Sequence, residues 1–129
     1  DPETQVVLPR IKSDFLDLMI CTAKESLSSC EIEISDDTYT NVVIVAGGYP
    51  EGYEKGNVIT GVPENTDETI IFHAGTKEMK NDITTNGGRV LSVVSKGLDH
   101  KQSLSKSYKT VSKINFKDKN YRKDIGFDL

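Results

Sequence analysis

A run of β-branched residues closed by an alanine, Val42-Val43-Ile44-Val45-Ala46, breaks off at Gly47-Gly48-Tyr49-Pro50. β-branched side chains lose rotamer freedom in a helix and pack well on a pleated surface. A continuous apolar run of this length predicts a buried strand. Eight of the ten glycines fall between residues 47 and 88, so this region predicts several strands joined by tight turns. Strands are expected near 57–60, 69–74 and 89–95, with Asn81–Thr85 as a short strand in a hairpin. Asn86-Gly87-Gly88 reads as a turn that tolerates positive φ. Gly47, Gly48, Gly87 and Gly88 are expected to include residues at positive φ or in close backbone contact, where a Cβ does not fit.

Helical spacing flanks this β region. Over 8–28, Phe15, Leu16, Met19, Ile20, Ala23 and Leu27 recur three and four residues apart, with Ser13 available as a cap and Pro9 near the start. That stripe needs a partner surface, expected to be the β unit or a second copy of the chain. Residues 28–41 are polar and acidic, a loop with a short edge strand at 31–34. Over 99–114, Asp99 and Gln102 form a capping-box-like pair. Leu104, Tyr108, Val111 and Ile114 share one stripe there, leaving Ser103, Lys106, Lys109 and Ser112 on the wet side. Phe116 opens a short extended piece, and the tail from Tyr121 to Phe127 has no helical period. The expected fold is α+β: a small, mostly antiparallel β unit with a flanking N-terminal helix and one C-terminal helix.

At 129 residues the chain bounds one domain or one domain with an appendage. The run from Val42 to Ala46 is the longest uninterrupted apolar one, far short of a membrane span. A start at Asp1-Pro2 without Met is expected of a fragment or a processed chain. Residues 1–68 carry fourteen acidic and four basic groups, and 69–129 carry six acidic and twelve basic. The C-terminal lysines (101, 106, 109, 113, 117, 119 and 123) read as a solvated helix face and turn, because no aromatic residues are interleaved to stack on bases. Cys21 and Cys30 make no disulfide framework and are expected to be reduced, Cys21 facing the core and Cys30 exposed. With only His73 and His100 beside them, no zinc pattern can be assembled.

Taken singly, the chemical signals are weak. Gly47-Gly48-Tyr49-Pro50 after a strand could offer backbone N–H groups to an anion, or be a plain turn. The stretch from Gly52 to Gly56 lacks the Lys-Ser/Thr pair of a P-loop. His73 could be a polar site residue or a structural one, and no nucleophile triad is legible. Arg122-Lys123 beside Gly126 could grip a phosphate, the guanidinium as a fork and the lysine as a point charge.

Together they are far more specific. Asp1-Pro2-Glu3-Thr4-Gln5, Lys12-Ser13-Asp14, Gly47-Gly48-Tyr49-Pro50, Tyr53-Glu54-Lys55-Gly56, Phe72-His73-Ala74-Gly75-Thr76, Asn86-Gly87-Gly88-Arg89-Val90-Leu91 and Arg122-Lys123-Asp124-Ile125-Gly126 stand in one order. In this the chain closely resembles, over essentially its whole length, the C-terminal part of the phosphoribosylamine–glycine ligase (glycinamide ribonucleotide synthetase) family of purine biosynthesis. The resemblance implies an ATP-grasp enzyme. ATP phosphorylates the glycine carboxylate, and the amine of phosphoribosylamine attacks the glycyl phosphate. ATP and magnesium (or manganese) are then held mainly by residues upstream of this chain, including the family's metal-binding Glu and Asn, and no cofactor is expected on the chain itself.

The resemblance also implies that residues 1–28 are the last helix of the ATP-grasp region, 29–41 a linker and 42–129 a C-terminal β-rich domain that closes over the active site. The implied partners are phosphoribosylamine, glycine and the upstream ATP-grasp region, with neither nucleic acid nor membrane, in the cytoplasm, and with self-association through the first helix. Arg122, Lys123 and Lys55 are the expected contacts of the substrate phosphate, with Gly47, Gly48 and Tyr49 close to the ligand. Tyr121 and Phe127 are expected to pin the tail. Against this, Arg122 could pair with Asp124 or Glu54 and be structural. No catalytic residue and no metal ligand is expected on the chain. The alternative is a free-standing, non-enzymatic α+β module that binds a small ligand or a protein.

Overall fold

The computed structural model describes residues 2–129; Asp1, the first residue of the Asp-Pro-Glu-Thr-Gln motif and of the expected 1–28 unit, lies outside the described residues. In chain order the elements are α1 (Pro2–Val7), α2 (Phe15–Ala23), β1 (Thr38–Val45), β2 (Thr69–His73), β3 (Thr76–Met79), β4 (Asp82–Thr85), β5 (Arg89–Gly97), α3 (His100–Val111) and β6 (Asn120–Tyr121). Four strands form an antiparallel sheet in the order β2-β5-β1-β6, and β3 and β4 form a separate hairpin turned at Lys80. The class is α+β, as the alternation of patterns predicts. The strand expected at 57–60 shrinks to two isolated bridges, Val58 with Thr84 and Thr60 with Asn115.

β1 and β5 carry the core. Val42 and Ile44 are fully buried and pack with Leu91, Val93, Leu104, Val111, Ile114 and Phe116 beneath α3. Asp99 caps α3 by accepting from Gln102 N at 2.7 Å, and Gln102 Oε1 accepts from Leu98 N at 2.8 Å. Ser103, expected on the wet side, is fully buried together with Ser107. Two small residues let the helix approach the sheet, and their hydroxyls are satisfied: Ser103 Oγ donates to His100 O at 3.1 Å, and Ser107 Oγ lies 3.5 Å from Thr40 Oγ1. Lys119 Nζ donates to Val111 O and Ile114 O, carbonyls at and just past the end of α3, and burial there lowers its pKa. Lys106 holds Glu68 and Lys117 holds Glu54, so these three lysines are engaged within the fold.

The face of the sheet away from α3 is covered only in part. α1 lies on it, with Gln5 Oε1 accepting from Asn41 Nδ2 at 2.9 Å, and Leu8 and Pro9 packed near Ile70 and Phe72. Val43 and Val45, which belong to this face, are half-buried. The single helix expected over 8–28 is broken. Pro9 has no N–H for a helical carbonyl, and residues 10–12 leave the helix to pair with 33–35: Ser35 N donates to Arg10 O at 2.7 Å and Lys12 N to Glu33 O at 2.8 Å. Asp14, not Ser13, caps α2, accepting from Leu16 N and Asp17 N. Ser13 instead ties Glu31 and Glu33.

The α2 stripe does not reach the β unit. Phe15, Leu16, Met19 and Ile20 are exposed, Leu16 by 68%, and only Leu18 is buried, because α2 packs on the turn Leu27–Ser29 rather than on the sheet.

That turn also corrects the cysteine expectation. With Glu25 at φ 55, the chain folds back on α2, and Cys21 and Cys30 are joined in a disulfide, both half-buried. A bridge across a sequence separation of nine removes loop entropy worth about 2–3 kcal/mol from the open segment. Reduction with a dithiol is therefore expected to speed amide hydrogen exchange at residues 24–30 by about tenfold or more, with the sheet amides unmoved.

Candidate functional site

The uncovered part of the second sheet face is a cleft of about 370 Å³ whose lining includes Gln5, Val43, Tyr49, Tyr53, Arg89 and Ser92. A second hollow of about 330 Å³ adjoins it, with Val45, Asn120, Tyr121 and Arg122 in its wall. Val43, Tyr49 and Arg89 line both. The first volume lies at the lower end of the range for small-molecule sites.

Glycines shape the wall. A Cβ on Gly88 would run into the Tyr49 ring, so the ring lies flush on bare backbone. Gly48 has φ +86, and its missing Cβ is displaced by the carbonyl of Gly52. Gly47 abuts Asp118, and Gly87 lies against the Cα of Gly75. Gly47, Gly48 and Gly87 stand in close backbone contact, Gly48 also at positive φ, as expected, while Gly88 meets side chains instead, the rings of Tyr49 and Tyr53. Asn86-Gly87-Gly88, however, is a link between β4 and β5 rather than a positive-φ turn.

The Gly-Gly-Tyr-Pro loop does not aim all its N–H groups outward: Tyr49 N donates to Ala46 O at 3.2 Å and Glu51 N to Gly48 O at 3.0 Å. Arg89, which the pattern reading left out, is the one charged residue in the lining of the first cleft, and it lines the second hollow as well. Its position follows from a register shift. β1 and β5 pair Val43 with Ser92 and Ile44 with Leu91, then Val45 with Arg89, so Val90 is the extra residue of a bulge. Val90 and Leu91 are both fully buried, consecutive residues that strict alternation would send to opposite faces. The bulge instead brings Arg89 to the Ser92 side. The backbone around it is tied to both neighbours: Ala46 N donates to Gly88 O, Gly75 N to Arg89 O and Ala74 N to Val90 O.

The other expected residues are placed differently. Arg122 reaches the second hollow only, and its guanidinium is engaged by Asp124, with Nε to Oδ1 at 3.0 Å and Nη2 to Oδ2 at 2.9 Å. This pairing raises the pKa of Arg122 and holds the Asp124 carboxyl below its usual range. Lys55 and Lys123 are exposed and line neither hollow. His73 Nδ1 lies 3.1 Å from Thr76 Oγ1 at the mouth of the β3–β4 hairpin.

Tyr108 OH donates to Arg122 O at 3.0 Å and accepts from Ile125 N at 3.4 Å. The tail is therefore held by Tyr108, with Tyr121 and Ile125 against the core. Phe127, expected to help, is 78% exposed. Among the described residues no group of three or more His, Cys, Asp or Glu could hold a metal ion. Among the described residues no helix is long and apolar enough to cross a membrane.

A four-stranded antiparallel sheet backed by one helix, with a glycine-walled cleft on its open face, defines a small α+β domain. The family model described as phosphoribosylglycinamide synthetase, C domain, matches residues 39–128. A phosphoribosylamine–glycine ligase of Fusobacterium nucleatum is 46% identical over 129 residues, covering 98% of this chain and 30% of that protein. A bifunctional purine biosynthetic protein of Pichia angusta is 46% identical over 126 residues, covering 97% of this chain and 16% of its own length. The crystal structure of the phosphoribosylamine–glycine ligase of Thermotoga maritima superposes with a TM-score of 0.76 at 33% identity, covering 96% of this chain and 30% of that one. The chain belongs to the phosphoribosylamine–glycine ligase family and corresponds to its C-terminal domain. It spans about three tenths of the length of the single-function relatives.

Proposed function

We propose that the chain is the C-terminal part of an ATP-dependent ligase that joins glycine to phosphoribosylamine in purine biosynthesis, and that its cleft receives the phosphoribosyl side of the substrate. The observation that carries this reading is a cleft of sugar-phosphate size on the open sheet face, walled by Tyr49 and Gly88 with Arg89 in its lining, in a chain of this family. ATP and magnesium, or manganese, are bound by upstream residues. This chain positions one substrate and excludes water from it, a contribution made by orientation rather than bond-making. Within such a ligase, residues 1–28 form the end of the ATP-grasp region and 42–129 the closing domain, while residues 38–41 of the expected 29–41 linker already belong to β1 of that domain. Gly47, Gly48 and Tyr49 shape the ligand wall, while Arg122, Lys123 and Lys55 add positive charge around it. Glycine and phosphoribosylamine are the substrates, the upstream region is the partner, and the compartment is the cytoplasm. Separated from that region, the exposed α2 stripe drives self-association.

The chain alone is expected to release no ADP from ATP, glycine and phosphoribosylamine. Co-expressed with the upstream ATP-grasp region of a relative, it is expected to give ADP release that needs both other substrates. Turnover by the chain alone, or ADP release indifferent to its presence, would contradict the reading.

A further inference from the structure

We infer that Arg89, rather than Arg122, is the specificity-determining contact for the phosphate of the sugar-phosphate substrate, and that Asp124 holds Arg122 as a secondary arm. The inference rests on the proposed reading of the cleft and goes on to say which side chain reads the anion. Three observations carry it. Arg89 is one of three residues common to both hollows, and the only charged one, whereas Arg122 lines one of them and Lys55 and Lys123 line neither. The Val90 bulge turns Arg89 onto the Val43–Ser92 face, and bulges of this kind re-aim single side chains at strand ends. The backbone on either side of Arg89 is bonded to Ala46 and Ala74, so the guanidinium projects from a rigid element rather than from a tail.

Arg122 differs in its setting. It sits on the C-terminal tail and lines the second hollow alone, where Nε and Nη2, one edge of its fork, are bonded by Asp124. An exposed pair of this kind is weak, so a phosphate dianion can displace the carboxylate, but only after the arm is released and re-ordered. Arg89 stands on a strand end whose backbone is bonded on both sides, so less main-chain freedom is lost there on binding. Tyr49 completes the selection: its ring, seated on Gly88, closes the side of the cleft against which the sugar would lie.

The test titrates ribose 5-phosphate, with ribose as the neutral control, into the 129-residue chain and follows backbone amide shifts. Wild-type chain is expected to bind ribose 5-phosphate and to ignore ribose. Arg89→Gln is expected to weaken binding by about tenfold or more, Arg89→Lys by an intermediate factor, and Arg122→Gln by no more than about threefold. Unchanged dispersion of the amide spectrum shows that each variant is folded, and Arg89→Lys keeps the charge should Arg89→Gln fail to fold. If Arg122→Gln costs as much as Arg89→Gln, or Arg89→Gln binds as wild type does, the inference is overturned while the cleft stands. If the wild-type chain itself shows no binding, the cleft reading fails and the inference with it.

Discussion

Alanine at position 48 is expected to lower the free energy of unfolding by about 2–4 kcal/mol, measured by urea denaturation. Two separate costs add at this residue. Its φ of +86 is a conformation that a residue with a Cβ adopts only under strain, and the new methyl group would occupy the place of the Gly52 carbonyl oxygen. That oxygen belongs to backbone, so no side-chain rotation relieves the clash. Gly52, four residues on, is the control. A Cβ there meets nothing within 4 Å and its φ is not positive, so Gly52→Ala should stay within about 0.5 kcal/mol of wild type. If both variants cost the same, the cleft wall is not built as described.

Leu91→Ala is expected to cost about 2–5 kcal/mol, the ordinary range for deleting a large side chain from a closed core. Leu91 is fully buried and lies opposite Ile44, also fully buried, in the central strand pair. Surrounding side chains come from α3, its C-terminal extension and both central strands, which are tied by backbone hydrogen bonds and cannot collapse into the hole. The midpoint of unfolding should fall with an unchanged denaturant slope. Ser92→Ala, next along the strand but on the cleft face, is expected to change stability by less than about 1 kcal/mol. A similar loss at both positions would mean that the bulge does not separate the two faces.

Much of this architecture is legible in the sequence because its causes are local. Val42 to Ala46 declares a central strand, the stripe of Leu104, Tyr108, Val111 and Ile114 declares α3, and Asp99 marks its start. What stayed hidden depends on partners far apart in the chain. The Val90 bulge exists only in the pairing of β5 with β1, and plain alternation puts Arg89 on the side of Leu91 and Val93. The Cys21–Cys30 bridge depends on a turn at Glu25, a residue type that gives no sign of positive φ. Ser13 and Asp14 are both able to cap, and the choice fell to Asp14 once Ser13 was taken by residues 31 and 33. Ser103 reads as polar surface, yet its smallness is what lets α3 settle on the sheet. Of the candidate site, the glycines were legible because their need is steric and local. The partner of Arg122 was among those foreseen, while the place of Arg89 in the lining of both hollows was not.

On the proposed reading the catalytic machinery lies upstream of this chain, whose part in the reaction would then show in how one substrate binds. The decisive measurement is steady-state kinetics of a full-length ligase carrying this segment, each substrate varied in turn, for wild type, Tyr49→Ala and Arg89→Gln. The KM for phosphoribosylamine is expected to rise about tenfold or more in Arg89→Gln and several-fold in Tyr49→Ala, with the KM values for ATP and glycine within about twofold of wild type. Equal rises for ATP, or no change for phosphoribosylamine in either variant, would contradict a phosphoribosyl-binding role for this cleft.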